Sequence, residues 1–224
     1  ARLPDLRMWD SHWRKCSLRG TRLDGSMSGT TPLWRRSRTT SWTQVDFTGA
    51  DLRDTAHGYE SYTDCDFSRA RLKEVDFQGA RHVRSRFAGP VEDVYFFRRP
   101  QGGLPVGPVN EMLDVDFTEA QVIGCSFWGL DLGAVRLPST EHHVLARPKV
   151  ATAGRALELL SATGQGDSLI GLRVAMEDWI RTGPGTAEAW GIVHREFLGE
   201  SDAERAQATA LLDQAIAEVA GRAR

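Results

Sequence analysis

Residues 42–87, WTQVDFTGADLRDTAHGYESYTDCDFSRARLKEVDFQGARHVRSRF, decide the fold. Counting in fives from Trp42 gives Phe47, Leu52, His57, Tyr62, Phe67, Leu72, Phe77, His82 and Phe87. Most are large and apolar. Two places before each stands a smaller side chain: Thr40, Val45, Ala50, Thr55, Glu60, Cys65, Ala70, Val75, Ala80 and Ser85. Glu60 is the one misfit. A period of five suits neither a helix nor a flat strand. It needs a chain that turns a corner every five residues and points two of them inward. Four such sides make one coil, so residues 20 apart should stack.

The comb returns at Met112, Phe117, Val122, Phe127, Leu132 and Leu137, and more weakly at Leu3, Met8, Trp13, Leu18 and Leu23. On 20-residue stacking, Phe47, Phe67, Phe87 and Phe127 share one face, and Leu52, Leu72, Met112 and Leu132 the next. Cys65 and Cys125 fall in one small-residue column with Val45 and Ser85. The small inward slot suits packing cysteines better than reactive ones.

VDFTGADLRD, CDFSRARLKEVDFQGA and VDFTEA repeat the pattern Ala/Cys/Val, Asp/Asn, Leu/Phe, Ser/Thr, Gly. This resembles the pentapeptide-repeat protein family over roughly residues 1–137. The resemblance implies a right-handed quadrilateral β-helix whose coils touch only their neighbours. The layout, with a helical C-terminal region, also looks like actinobacterial members without an assigned function.

Two stretches break the comb. Residues 24–41 are rich in Ser, Thr and Gly and carry Trp34 beside Arg35, Arg36 and Arg38. Residues 88–111 begin as a strand-like VEDVYFF, with Tyr95 and Phe97 expected inward, and run into the Gly/Pro-rich RRPQGGLPVGPVN. Loops on rigid scaffolds often carry function. Trp34, Arg35, Arg36, Arg38, Arg98 and Arg99 are therefore the candidate protein contacts, since Trp and Arg are favoured interface anchors. A solvated loop whose Trp34 packs on the solenoid wall is the plain alternative.

HGYESY (57–62) is the oddest in-register stretch. A carboxylate in the Glu60 slot must be hydrogen-bonded or paired, and His57 could supply that. A bulge turning Glu60 outward is the other structural reading. An acid–base pair is the chemical one, but no cleft is implied for a substrate.

After Leu137 the period becomes helical. Residues 138–224 read as a capping or dimerisation domain of four short helices: 151–162, one carrying Leu169, Leu172, Met176, Trp179 and Ile180, 187–198, and a last one opened by the capping box Ser201–Glu204 and closed by Gly221. A homodimer through the apolar stripe is the alternative to a cap. Glu141, His142 and His143 read as solvated linker, because a metal site would want further ligands at defined spacing.

Composition is ordinary for a globular protein, with 41% hydrophobic and 26% charged residues. No apolar run approaches the roughly 18 residues that span a bilayer. The N-terminus lacks a signal-peptide core. Three separated cysteines fit a reducing cytosol, so a cytoplasmic location is expected. Residues 1–41 hold nine Lys/Arg against three Asp, and residues 42–137 ten against fifteen Asp/Glu. No nucleotide, hydrolase or metalloprotease motif is present. The expectation is a protein-binding scaffold that is not an enzyme, with no cofactor, no metal and no small-molecule substrate. One alternative is a DNA-mimicking modulator of DNA gyrase or topoisomerase, which the family resemblance suggests. Another is nucleic-acid binding through the basic N-terminal coils.

Overall fold

The structure is a computed structural model that describes residues 1–29, 40–99, 109–164, 168–183 and 189–222. These form two compact units, Ala1–Gln121 with Cys125–Pro138, and Val122–Gly124 with Ser139–Arg224.

The first unit is built from very short parallel strands. Arg7–Trp9, Met27–Gly29, Ala56–Gly58, Asp76–Phe77, Tyr95–Phe97 and Ser126–Trp128 form one six-stranded ladder. His12–Arg14, Ser41–Thr43, Ser61–Thr63 and Arg81–Val83 form a second. A third runs through the bridges Ser17↔Asp46, Asp46↔Asp66 and Asp66↔Arg86, and a fourth through Arg2↔Arg22, Arg22↔Asp51 and Asp51↔Arg71. Where nothing intervenes the step is 20 residues, as in Ser41↔Ser61↔Arg81.

Corners recur with the same period. Gln44, Gly49, Asp54, Tyr59, Asp64, Arg69, Glu74, Gly79, Arg84 and Gly89 all have φ between +48° and +88°. The left-handed bend aims the residues flanking it at successive sides. It also explains why glycine recurs in the fifth place, since other residues reach this region at a cost.

The interior follows the comb. Every large and small slot from Thr40 to Phe87 is buried. Phe47, Phe67, Phe87 and Phe117 stack with centroids 4.8 Å apart, the spacing of neighbouring strands. Each such ring contributes about 1.5–3 kcal/mol by burial and roughly 0.5–1.5 more per aromatic pair.

Past Phe87 the expected columns need correction. Leu72 pairs with Val91, a step of 19, so this coil is one residue short. Phe96 therefore lies on Phe77 and points inward, while Tyr95 is 43% exposed. Tyr95 and Phe97 are not the inward pair. Tyr95 then pairs with Ser126, a step of 31. The two departures cancel modulo five, so the comb stays in phase while the faces rotate. Phe127 stacks on Phe96 instead of joining Phe47. Leu113 bridges Val83, which places Met112 behind His82 and not behind Leu72. The Cys125 thiol faces the Val91 carbonyl, away from the Cys65 column.

The second unit holds α1 (Lys149–Thr163), α2 (Ile170–Arg181) and α3 (Asp202–Arg222). Gly164 closes α1 in the left-handed conformation (φ 68°). The capping box is present: Glu204 N donates to Ser201 Oγ at 3.2 Å and Ser201 N to Glu204 Oε2 at 3.1 Å. Gly221 does not end α3, which runs through it to Arg222. The helix expected over 187–198 is instead a strand, Gly191–His194, antiparallel to His143–Ala146, followed by a 3-10 turn at Arg195–Leu198. Ile192 and Val193 favour a strand, and Gly191 lets the backbone lie against the Trp179 ring, where a Cβ would come within 2.6 Å. Leu169, Leu172, Met176 and Trp179 are buried in this unit's own core, so the proposed dimer stripe is already covered; of it only Ile180 is exposed.

Candidate interaction site

Glu60 does not bulge outward. It is wholly buried in its small slot. Trp42 Nε1 donates to Oε2 at 2.5 Å and Ser28 Oγ donates to Oε1 at 2.6 Å. His57 Nδ1 lies 3.1 Å from Oε1, 2.8 Å from Ser28 Oγ and 3.0 Å from the Tyr62 hydroxyl. Thr55 Oγ1 donates to Leu52 O, so it accepts from His57 Nε2 at 2.9 Å. Burial holds the Tyr62 phenol well above its usual range, so it keeps its proton. Ser, His and Glu thus meet as they do in hydrolases, but Ser28 and Glu60 are sealed inside the comb and every acceptor is engaged. The cluster is a satisfied interior network.

His82 is its opposite. It is completely buried, stacked on Tyr62 at 4.9 Å and edged by Phe77 at 4.8 Å. Neither ring nitrogen has a hydrogen-bond partner among the described residues. Burial, with the His57 charge second, pushes its pKa down to about 3.

His143 was expected in a solvated linker, yet it is buried. Its Nδ1 lies 2.9 Å from Ser139 O, and Nε2 accepts from Val122 N at 3.0 Å. Burial lowers its pKa to about 4. No group of three or more His, Cys, Asp or Glu that could hold a metal exists among the described residues.

Of the candidate contacts, Trp34, Arg35, Arg36 and Arg38 lie outside the described residues. Arg98 and Arg99 are exposed at the end of Tyr95–Phe97. The Arg98 backbone is held on both sides, its N donating to Trp128 O at 2.8 Å and its O accepting from Asn110 N at 3.0 Å.

Register shows where both breaks occur. Met27 pairs with Ala56 and His12 with Ser41, steps of 29, which places nine extra residues between Gly29 and Thr40. Residues 24–29 keep the comb: Ser28 is buried opposite His57. The first interruption therefore begins after Gly29 and not at residue 24. The second lies between Arg98 and Asn110. At both, the chain goes from the six-stranded ladder to the second ladder, so their described ends share one corner, three coils apart. Each returns through a buried polar residue clamped to the departing strand. Thr40 Oγ1 donates to Gly29 O, and Asn110 Nδ2 donates to Phe97 O at 3.3 Å. Sequence reasoning missed these clamps, although a Thr and an Asn in small apolar slots were the visible signal.

The outer faces carry ion pairs that cross coils: Arg19–Asp46, Arg71–Asp51, Arg84–Asp64, Arg136–Asp116 and Arg86–Glu119, at 2.7–3.2 Å. A shallow depression of about 480 Å³ on the third ladder is lined by Arg19, Arg69 and Arg86 together with Asp66 and Glu119, so charges of both signs meet there.

No family model matches the chain, and no curated protein matches it. Among solved structures it is similar to HetL, a pentapeptide repeat protein involved in heterocyst differentiation regulation in the cyanobacterium Nostoc sp. strain PCC 7120. That alignment has 16% identity, covers 59% of this chain and 76% of HetL, and has a TM-score of 0.26. It is also similar to a trypsin-treated form of QnrB1, a plasmid-mediated fluoroquinolone resistance protein, with 16% identity, 60% and 70% coverage and a TM-score of 0.27. Full-length QnrB1 aligns with 17% identity, 57% and 82% coverage and a TM-score of 0.18. The register and columns above rest on the ladders themselves.

Proposed function

We propose that the four ladders close into a right-handed quadrilateral β-helix that serves as a non-catalytic protein-interaction scaffold. The carrying observation is that the described ends of both interruptions, Gly29 with Thr40 and Phe97 with Asn110, share one corner. Arg98 and Arg99 are exposed there; with Trp34, Arg35, Arg36 and Arg38 they are the residues assigned to one partner, and their charge favours an acidic one. Asp46, Asp51, Asp64 and Asp116, of the kind a DNA mimic needs free, are each paired with an arginine 20 or 27 residues away, which favours the scaffold over a gyrase-directed mimic. No helix among the described residues is long and apolar enough to cross a membrane.

A pull-down from source lysate with the parent chain and with Arg98→Glu/Arg99→Glu tests this. Retention of a defined protein by the parent and its loss in the variant supports the scaffold. If the parent and the variant retain the same proteins, or none, the corner is not the contact.

A further inference from the structure

The corner row between the third and fourth ladders runs Gly20, Gly49, Arg69 and Gly89, one residue from each successive coil, all in the left-handed conformation with φ from 56° to 88°. Arg69 alone carries a side chain there. It is exposed and forms no ion pair among the described residues. The glycines leave room around it: a Cβ at Gly20 or Gly49 would meet nothing within 4 Å. This corner stands two corners along the chain from the one that holds Gly29 and Thr40.

Arg69 opens on the depression of about 480 Å³, which Arg86, Asp66, Ser68 and Glu119 also line. Every residue of that lining is described. Arg86 pairs with Glu119 at 2.7 Å, but the Glu119 side chain is 68% exposed. An exposed pair of this kind contributes little, and a competing anion can displace it. Asp66 Oδ1 accepts from Ser68 N at 2.8 Å, which leaves its other oxygen as an acceptor. Ser68 Oγ has no hydrogen-bond partner among the described residues. The neighbouring depression of about 620 Å³ is different, because its Arg84 and Arg136 are already held by Asp64 and Asp116 at 2.7 and 3.1 Å.

Two guanidinium groups at one depression suit an oxyanion, which each can hold through paired N–H donors. The volume exceeds what a single oxyanion fills and falls in the range of sites for small organic groups. Asp66 and the Ser68 hydroxyl then serve the group that bears the anion, exchanging hydrogen bonds with its hydroxyls or amides. The lining holds no aromatic ring, so a nucleotide base would find no stacking partner. We propose that this depression binds a phosphate monoester, with the phosphoryl group on Arg69 and Arg86 in place of Glu119 and the polar carrier against Asp66 and Ser68. The site lies at a different corner from the protein contact described above and does not depend on it.

The full chain is titrated by isothermal calorimetry with a capped glycine–phosphoserine–glycine peptide, with glucose 6-phosphate and with inorganic phosphate. Saturable binding of at least one ester is expected, at least about threefold tighter than that of inorganic phosphate. The tighter ester tells whether the phosphoryl group arrives on a protein segment or on a small molecule. Arg69→Gly should weaken binding at least about tenfold without lowering the urea midpoint, because glycine suits a φ of +56°. Glu119→Gln should strengthen binding at least about twofold, because the carboxylate that competes for Arg86 is gone. No saturable binding of either ester, equal binding by parent and Arg69→Gly, or weaker binding by Glu119→Gln overturns the site. Inorganic phosphate bound as tightly as both esters overturns the role of the carrier and with it the ester.

Discussion

Replacing His82 by leucine should make the protein more stable, and increasingly so as the solution is acidified. His82 is enclosed by Tyr62, Phe67, Phe77, Phe87 and Phe96. Its folded pKa is about 3 against an ordinary 6.5. Between these values the unfolded chain binds a proton that the folded chain refuses, so stability is complete above about pH 6.5 and falls as pH drops toward 3. The slope is about 1.4 kcal/mol per pH unit, and the loss reaches about 2 kcal/mol at pH 5. Leucine removes this loss. It also removes a buried donor and acceptor without partners, a further gain of about 1–3 kcal/mol at neutral pH, offset in part by the lost stacking on Tyr62. Urea melts of parent and His82→Leu at pH 8, 6.5, 5.5 and 5, followed by tryptophan fluorescence, give the difference directly, and His143 and His194 cancel in it. If the two proteins lose stability in parallel between pH 6.5 and 5, His82 is not the excluded proton site and the reasoning is wrong.

Glu60→Ala should cost about 3–5 kcal/mol in urea melts, because Trp42 Nε1 and Ser28 Oγ lose their shared acceptor inside the core; a change below about 1 kcal/mol would place Glu60 outside that network. Replacing residues 30–39 by one glycine should restore a 20-residue coil, and circular dichroism should show an intact fold with stability equal to or up to about 2 kcal/mol above the parent. Loss of folding would contradict the nine-residue surplus deduced from the ladders. Gly49→Ala, at φ +66° with no neighbour within 4 Å, should cost about 1 kcal/mol from backbone strain alone, measured as a fall in the urea midpoint.

The comb between Thr40 and Phe87 was legible because steric demand inside a narrow coil repeats with the corners. The faces beyond it were not. One residue lost before Val91 and eleven gained before Asn110 leave the period of five undisturbed, so the sequence gives no sign that Phe127 has moved to another column. Glu60 was legible as an anomaly, but its partner Ser28 comes from across the first insertion, and only the 29-residue step brings the two together. In the second unit, Ala187–Leu198 has enough apolar residues for a helix, and the pairing that overrides this, Gly191–His194 with His143–Ala146, joins segments too distant for local pattern to show. The corner shared by the ends of both interruptions follows from the order of the ladders, which no local pattern carries.

A comb with a period of five has a weakness. A chain wound five or ten residues out of place still presents a large residue to every large slot and a small one to every small slot, so apolar packing alone ranks such windings as near-equals. Ser28, Trp42, His57, Glu60 and Tyr62 remove that degeneracy. Their bonds have direction and length, and any slip leaves a carboxylate facing hydrocarbon. The cluster sits at the coil where the first insertion offers the chain the most freedom to re-enter wrongly, and there it acts as the key of a lock that hydrophobicity could not have cut.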